Sequence, residues 1–289
     1  MNYPHRGYAL LINHFEFNSK LNLNNRNGSE VDLKRLQETL ANLGFEIQVH
    51  QDKTVAGIKK IIKNVAQKTD HSDCDCLLVV VSTHGKAYGE LYAKDNLYSV
   101  QELWDPFIEC PSLIGKPKIF FIQACRGKKL DSGLILSNSI NECVAYTSPS
   151  SPDFLIVYSS VEGYGSFRNT NTGTWFIQSL CEKLETLTPD TDILTIMTRT
   201  IQRVASTCMT SHFDKHGIRF KTQVPHINCT LVKNIYFRPK ITTRDKNYLN
   251  ITKEEKNEKE KSGNEEEQHT EENKKKCEER ISSNNNTAQ

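Results

Sequence analysis

Residues 76–85, CLLVVVSTHG, and residues 118–127, KIFFIQACRG, decide the fold of this chain. Each stretch contains an uninterrupted apolar run, residues 76–81 in the first and 119–122 in the second, which is typical of a strand covered on both faces in a parallel sheet. Each run passes into a short segment that carries a reactive side chain, His84 in the first and Cys125 in the second. In open parallel sheets, chemistry collects at the carboxyl ends of the strands. We therefore expect His84 and Cys125 to lie together at one edge of a sheet.

Hydrophobic periodicity on either side of these strands alternates between strand and helix. Leu33, Leu36 and Leu40, for example, recur at helical spacing, and Gly44 follows them as a stop signal. We predict strands over residues 7–13, 45–49, 76–82, 118–123, 154–159 and 227–237, and helices over residues 29–43, 55–65, 100–107, 175–184 and 193–204. This order predicts an α/β fold of three layers, in which a mostly parallel central sheet has helices on both faces.

Composition limits the classes of partner. The 289 residues carry a formal net charge of only +2, and the longest apolar run, residues 76–81, is too short to span a bilayer. We therefore expect neither nucleic acid nor a membrane as partner. The nine cysteines include no CxxC pair, which predicts reduced thiols in a cytoplasmic protein without a metal or other cofactor.

A cysteine beside a histidine at a sheet edge is the arrangement that a cysteine protease requires. The thiolate of Cys125 would attack a carbonyl carbon, and His84 would protonate the departing amine. Gly85 would bring a backbone N–H close to the substrate, and with the N–H of Cys125 it would form an oxyanion hole. Taken singly, a histidine or a cysteine at the end of a strand is more often structural than catalytic.

The pentapeptide at residues 123–127, QACRG, changes that balance. It matches the signature of the caspases, Q-A-C-[RQG]-G, in which a histidine lies about 50 residues upstream. Here His84 lies 41 residues before Cys125. The resemblance extends over roughly residues 3–237, and its further stretches are residues 6–13 (RGYALLIN), 26–32 (RNGSEVD), 111–118 (PSLIGKPK), 166–169 (SFRN) and 173–180 (GTWFIQSL). The chain thus resembles the caspase family, most of all its effector branch, and the resemblance implies the caspase-like three-layer fold.

The resemblance also implies a substrate and the residues that bind it. Caspases cleave after aspartate, and Arg26, Gln123 and Arg168 stand at the positions that line the family's S1 pocket. Two guanidinium groups can each give paired, charge-assisted hydrogen bonds to one carboxylate. Read without the motif, Arg26 and Arg168 would be ordinary surface arginines.

The neighbouring subsites follow the family less closely. Ser166 lies in the family's substrate-binding segment, and Phe167 and Trp175 fall where the family has the aromatic walls of S2 and S4. Gly165, however, replaces the tyrosine that effector members usually carry. We expect Gly165 to leave a wider S2 subsite.

The family pattern divides the chain into parts. A catalytic domain over residues 1–238 would comprise a large-subunit portion (1–127), a linker (128–152) and a small-subunit portion (153–238). A charged tail (239–289) would follow it. This tail is too poor in apolar residues to fold and is predicted to be disordered. The resemblance implies a zymogen, and Asp131 is the predicted processing site within the linker. It also implies a homodimer formed through residues 227–237, with an upstream activating caspase and caspase inhibitors as further partners.

Two other classes of function compete with this interpretation. One is a catalytically weak caspase homologue that regulates active caspases by binding them; the intact residues at 84 and 125 argue against it, whereas the small number of activation sites argues for it. The other is an unrelated flavodoxin-like nucleotide-binding module. The first predicted strand and helix carry no G-x-G-x-x-G or P-loop motif, which counts against that module.

Overall fold

A six-stranded sheet forms the centre of the protein. The computed structural model describes residues 2–130, 152–186, 188–214 and 217–240. The strands are β1 (Tyr8–Asn13), β2 (Glu46–Gln51), β3 (Leu77–Ser82), β4 (Glu90–Tyr92), β5 (Leu97–Ser99), β6 (Lys118–Gln123), β7 (Phe154–Tyr158), β8 (Arg168–Asn169), β9 (Gly173–Thr174), β10 (Thr210–Asp214), β11 (Gly217–Lys221) and β12 (His226–Cys229).

The order of the strands in the central sheet is β12-β7-β6-β3-β1-β2. Five of these strands are parallel, and β12 at one edge runs antiparallel to β7. The remaining strands form three small antiparallel pairs, β4 with β5, β8 with β9, and β10 with β11. The prediction of a mostly parallel sheet is confirmed.

Helices cover both faces of the sheet. They are α1 (Ser29–Asn42), α2 (Val55–Lys68), α3 (Asp105–Ile108), α4 (Trp175–Glu185) and α5 (Ile193–Thr207), with short 3₁₀ turns at Ser19–Leu21, Val100–Leu103 and Pro111–Leu113. Successive residues of a strand point to opposite faces, so Leu10 and Ile12 pack with α2 and α3, whereas Ala9 and Leu11 pack with α1, α4 and α5. The two apolar clusters give the predicted three layers.

Local sequence signals fix where the helices begin. The side chain of Thr54 accepts a hydrogen bond from the backbone N–H of Gly57 at the start of α2. Thr174 and Asp192 cap α4 and α5 in the same way, which satisfies backbone donors that a helix leaves free at its first turn.

Two predicted elements are corrected. The helix predicted over residues 100–107 is split between the 3₁₀ turn and α3, because Pro106 has no N–H with which to continue a helical ladder from Glu102. The strand predicted over residues 227–237 ends at Cys229, since its partner β7 begins at Phe154 and offers nothing beyond Thr230. The apolar residues Ile235 and Phe237 are buried against the helices and not in a strand.

Some predictions lie outside the described residues. They include Asp131, nearly all of the predicted linker, and residues 241–289 of the predicted tail. Among the helices that the structure does describe, none is both long enough and apolar enough to cross a membrane. The seven cysteines for which a state is described are free thiols.

Candidate active site

The sheet brings the two predicted reactive residues to the same edge. Ser82 and Gln123 are register partners at the ends of β3 and β6, and the N–H of Thr83 donates to the carbonyl oxygen of Gln123 at 3.0 Å. His84 and Cys125 each follow two residues after these partners, and both side chains are half-buried.

Gly85 lies against the backbone of the cysteine. A Cβ placed on Gly85 would come within 2.4 Å of the carbonyl oxygen of Cys125 and within 3.0 Å of the Cβ of Ala124. Real Cβ atoms do not approach so closely, so the contact requires glycine at this position. The loop after His84 and the loop after β6 are therefore packed main chain against main chain.

The His84 ring is oriented by a backbone group. Its Nε2 donates to the carbonyl oxygen of Asn24 at 2.9 Å, and the ring lies 5.0 Å from that of Phe17. Since Nε2 holds the proton for this bond, Nδ1 keeps a free lone pair. Burial, together with the positive charges of Arg26 and Arg168, lowers the pKa of His84. The neutral imidazole is thus the favoured form near neutral pH.

The Cys125 thiol is in contact with the segment that follows β7. The N–H of Ser166 donates to Sγ at 3.3 Å, and Sγ lies 3.7 Å from the carbonyl oxygen of Ser166. The amide of Gln123 donates to the hydroxyl of Ser166 at 2.8 Å. An extended peptide that reaches the thiol would therefore run alongside the Ser166 backbone.

Arg26 and Arg168 form a cationic site beside these groups. Arg26 is 1% exposed, and its guanidinium donates to the carbonyl oxygen of His14 and to the hydroxyl of Ser82, both at 2.9 Å. Burial, and secondly the nearby charge of Arg168, lower the pKa of Arg26 to about 9. Burial also lowers the pKa of Arg168. Both groups remain cations at neutral pH.

Donors in this cationic site are left for a ligand. The Nε of Arg26 is buried without a hydrogen-bond partner, and the Arg168 guanidinium has no such partner among the residues that the structure describes. Both arginines are close enough to Cys125 to interact with it electrostatically. A carboxylate would satisfy these donors and relieve the repulsion between the two cations.

Local structure explains why the arginines are neighbours. Gly28, with φ of +90°, precedes α1 and lies so close to β8 that a Cβ on it would come within 2.6 Å of the carbonyl oxygen of Asn169. From α1, the carboxylate of Asp32 accepts hydrogen bonds from the N–H of Thr174 at 2.9 Å and from the amide of Gln178 at 2.8 Å. These contacts hold the chain around Arg26 against the chain around Arg168.

The predicted aromatic walls are stacked on each other. The rings of Phe167 and Trp175 lie 4.6 Å apart at 29°, and the N–H of Phe167 donates to the side chain of Gln223 at 2.7 Å. Beside Gly165, the methyl Cδ2 of Leu130 lies 3.6 Å from the place of a Cβ. The space expected from the missing tyrosine thus has Leu130 at its border.

Sequence reasoning missed several residues that shape the site. The carbonyl of Asn24 could not be found, because every residue type supplies a backbone oxygen. Asp32 lies in the family-like stretch at residues 26–32 but has no signal of its own there, and Gln223 lies in none of the motifs. An acidic residue near the start of a helix and a buried glutamine are common features and carry no functional signal alone.

Comparison with known proteins agrees with this architecture. A family model described as the caspase domain matches residues 6–236. The chain is 42% identical over 245 residues to caspase-1 of Spodoptera frugiperda, covering 83% of this chain and 81% of that protein. It is 40% identical over 247 residues to caspase drICE of Drosophila melanogaster, covering 83% and 72% respectively.

A solved structure extends the likeness to three dimensions. The crystal structure of caspase-1 from Spodoptera frugiperda superposes with a TM-score of 0.74 at 43% identity, covering 82% of this chain and 93% of that one. The three-layer arrangement predicted from the strand order is therefore shared with a solved protein.

Proposed function

This chain belongs to the caspase family of aspartate-specific cysteine endopeptidases, and from that premise we propose that Cys125 is its nucleophile and His84 its general acid and base. In this proposal the enzyme cleaves protein substrates after aspartate during apoptosis. Two features support it: the register of β3 and β6, and the neutral, carbonyl-anchored His84.

The proposed reaction proceeds through an acyl-enzyme. The Nδ1 lone pair of His84 takes the thiol proton of Cys125, and the sulfur bonds to the substrate carbonyl carbon. The N–H groups of Gly85 and Cys125 stabilise the oxyanion that forms. The C–N bond then breaks as His84 returns its proton to the departing amine. Water hydrolyses the thioester with His84 as base, which restores the thiol.

One observation supports the proposed specificity for aspartate. Arg26 and Arg168 lie beside Cys125 with unsatisfied hydrogen-bond donors, and no carboxylate of the described residues is hydrogen-bonded to either guanidinium. We propose that the aspartate side chain of the substrate binds there, between Arg26 and Arg168, with Gln123 as a further donor. Ser166 would contact the substrate backbone, while Phe167 and Trp175 would contact its preceding side chains.

Hydrolysis of a fluorogenic peptide that ends in aspartate tests this function. Wild-type protein should hydrolyse it, whereas Cys125→Ala and His84→Ala should each retain at most a few per cent of the rate, because the two residues act as a unit. Circular dichroism should be unchanged in both variants. A fully active Cys125→Ala variant would contradict the proposal, and an inactive wild type would favour a regulator that only binds.

The dimer is proposed on the basis of the sheet edge. β12 pairs with β7 on one side and is the outermost strand of the central sheet. An edge strand offers backbone groups for pairing with another chain. We propose that a second copy binds at this edge. Sedimentation across a range of concentrations should give twice the chain mass, and a monomer at all concentrations would contradict this.

Activation is proposed to follow the family pattern. An upstream caspase would cut after Asp131, between the large-subunit portion (1–127) and the small-subunit portion (153–238), and caspase inhibitors would bind the same cleft as substrates. A cytoplasmic location, predicted from the cysteines, stays a prediction.

A further inference from the structure

Glu162 is one side chain that connects three loops of the site. It lies in the loop after β7, and its side chain is only 14% exposed. One carboxylate oxygen lies 2.5 Å from the guanidinium of Arg126, the residue after Cys125. The other accepts a hydrogen bond from the backbone N–H of Tyr88 at 2.6 Å, in the loop that follows His84.

The Tyr88 end of this connection is under backbone strain. Tyr88 has φ of +64°, a conformation that is unfavourable for a residue with a side chain. Its side chain is 77% exposed, so packing of the ring does not hold the loop in place. The bond from its N–H to Glu162 is a contact that opposes relaxation of this strain.

The Arg126 end is buried and bonded to its neighbours. Its side chain is 4% exposed, and the guanidinium lies 3.9 Å from the centre of the Tyr158 ring on β7. The N–H of Arg126 donates to the carbonyl oxygen of Tyr164, and its own carbonyl accepts from the N–H of Gly163, both at 2.9 Å. Glu162 therefore ties a strained loop to a segment that is fixed to the sheet.

The strained loop carries catalytic groups at its start. Gly85 contacts the carbonyl oxygen of Cys125, and the carbonyl of His84 accepts from the N–H of Tyr92 at 2.9 Å. Movement at Tyr88 would be passed along three residues to the Gly85 N–H of the proposed oxyanion hole. Displacement of such a donor weakens transition-state binding more than it weakens substrate binding.

We propose that Glu162 is a positioning residue: it clamps the loop after His84 onto Arg126 and so fixes Gly85 against Cys125. The inference rests on the proposed function of those residues. A glutamine at this position cannot replace the clamp, because its single oxygen cannot serve both Tyr88 and Arg126.

Peptide hydrolysis by Glu162→Gln and Glu162→Ala tests the clamp. Both variants should lower kcat at least about 10-fold, while KM stays within about twofold of wild type. Glu182→Gln is the matched control, since it removes ion pairs with Lys183 and Arg203 on the outer surface of α4 and α5, and it should leave both constants unchanged. Titration with an irreversible active-site inhibitor corrects each rate for the folded fraction.

A second measurement does not depend on activity. Amide hydrogen exchange in residues 85–92 should be faster in Glu162→Ala than in wild type, because the N–H of Tyr88 loses its acceptor. In addition, Glu162→Ala should cost less kcat in a Tyr88→Gly background, since glycine adopts positive φ without strain.

The outcomes separate this inference from the function on which it rests. An active wild type with Glu162 variants of equal kcat and equal exchange would overturn the clamp alone. A change in KM without a change in kcat would also overturn it. So would a loss of kcat from Glu162→Ala that is equally large in the wild-type and Tyr88→Gly backgrounds. A wild type that does not cleave aspartate peptides would overturn both.

Discussion

At the scale of single residues, the pairing of Arg26 with Arg168 is the most telling feature of the site. Burial removes hydration from both cations and lowers the pKa of each, and the charge of Arg168 lowers the pKa of Arg26 further. Asp32 offsets part of this lowering, but its carboxylate is engaged by Thr174 and Gln178. The geometry is thus suited to an anionic ligand from outside.

Arg168→Lys should separate charge from shape in this pocket. Lysine keeps the positive charge but not the planar pair of donors, so kcat/KM for an aspartate peptide should fall at least about 30-fold, equivalent to about 2 kcal/mol. Wild type should cut a matched glutamate peptide poorly, because one more methylene displaces the carboxylate. Similar rates on peptides with Asp, Glu and Asn would show that the arginines do not act on one carboxylate.

Gly85→Ala tests the contact between the two catalytic loops. A methyl group 2.4 Å from the carbonyl oxygen of Cys125 must push the loops apart, which displaces one proposed oxyanion donor. We expect kcat to fall about 100-fold or more with the fold retained. Gly57→Ala on helix α2 is the control, since its Cβ would meet only side-chain atoms at 3.3 Å or more. Unchanged kcat in Gly85→Ala would contradict the contact.

Site residues that belong to a sequence motif could be predicted. Residues that act through a backbone group or a tertiary contact could not. The QACRG motif is specific enough to indicate Cys125, and through the family His84 and Arg168. The acceptor at Asn24 is a carbonyl, and the importance of Glu162 depends on two loops that are distant in sequence. Such contacts follow from tertiary structure and leave no local signal.

At the scale of elements, the buried strands were the most predictable part of the chain. β6 has the predicted bounds, and β3 differs by one residue, because the interior of a strand buried on both faces is an uninterrupted apolar run. The pairs β4–β5, β8–β9 and β10–β11 were not predicted. Strands of two to five residues show too little alternation to be distinguished from loops.

Cleavage within the predicted linker can be tested at Asp131. Asp131 follows Leu130, and the segment before it is held by bonds between Lys129 and the loop at Gly163 and Gly165. An activating protease would have to loosen that segment, so we expect slow cutting at Asp131 and some activity in the uncut chain. Asp131→Ala should therefore retain partial activity in a peptide assay, with fragment masses showing no cut there.

Two results would contradict this expectation for the linker. Complete loss of activity in Asp131→Ala would show that cleavage is obligatory. Rapid and complete cutting of wild type at a residue other than aspartate, between positions 134 and 151, would mean that a protease of another class activates the enzyme.

At the scale of the whole molecule, buried histidines link stability to pH. His14 and His71 are fully buried, and burial lowers the pKa of each. Below about pH 6.5 the unfolded chain binds protons that the folded state excludes. The free energy of unfolding should therefore fall as the pH drops below that value, and it should be insensitive to these groups above it.

His71→Gln isolates one of these contributions. The Nε2 of His71 donates to the carbonyl of Val65 at 3.0 Å, a bond that the glutamine amide can replace, while Lys116 and Asp70 stay in place nearby. The variant should lose less stability between pH 7 and pH 5 in urea titrations, by at most about 1.4 kcal/mol per pH unit. Parallel curves for the two proteins would contradict the assignment.

Covalent labelling shows whether Cys125 attacks a carbonyl that is held by an aspartate-binding pocket. Wild-type protein is treated with an electrophilic peptide ketone that ends in aspartate, beside its asparagine twin, and the adduct is mapped by mass spectrometry. We expect one adduct, on Cys125, that forms much faster with the aspartate reagent and is lost in Cys125→Ala. Labelling of a different cysteine, or equal rates for the two reagents, would contradict it.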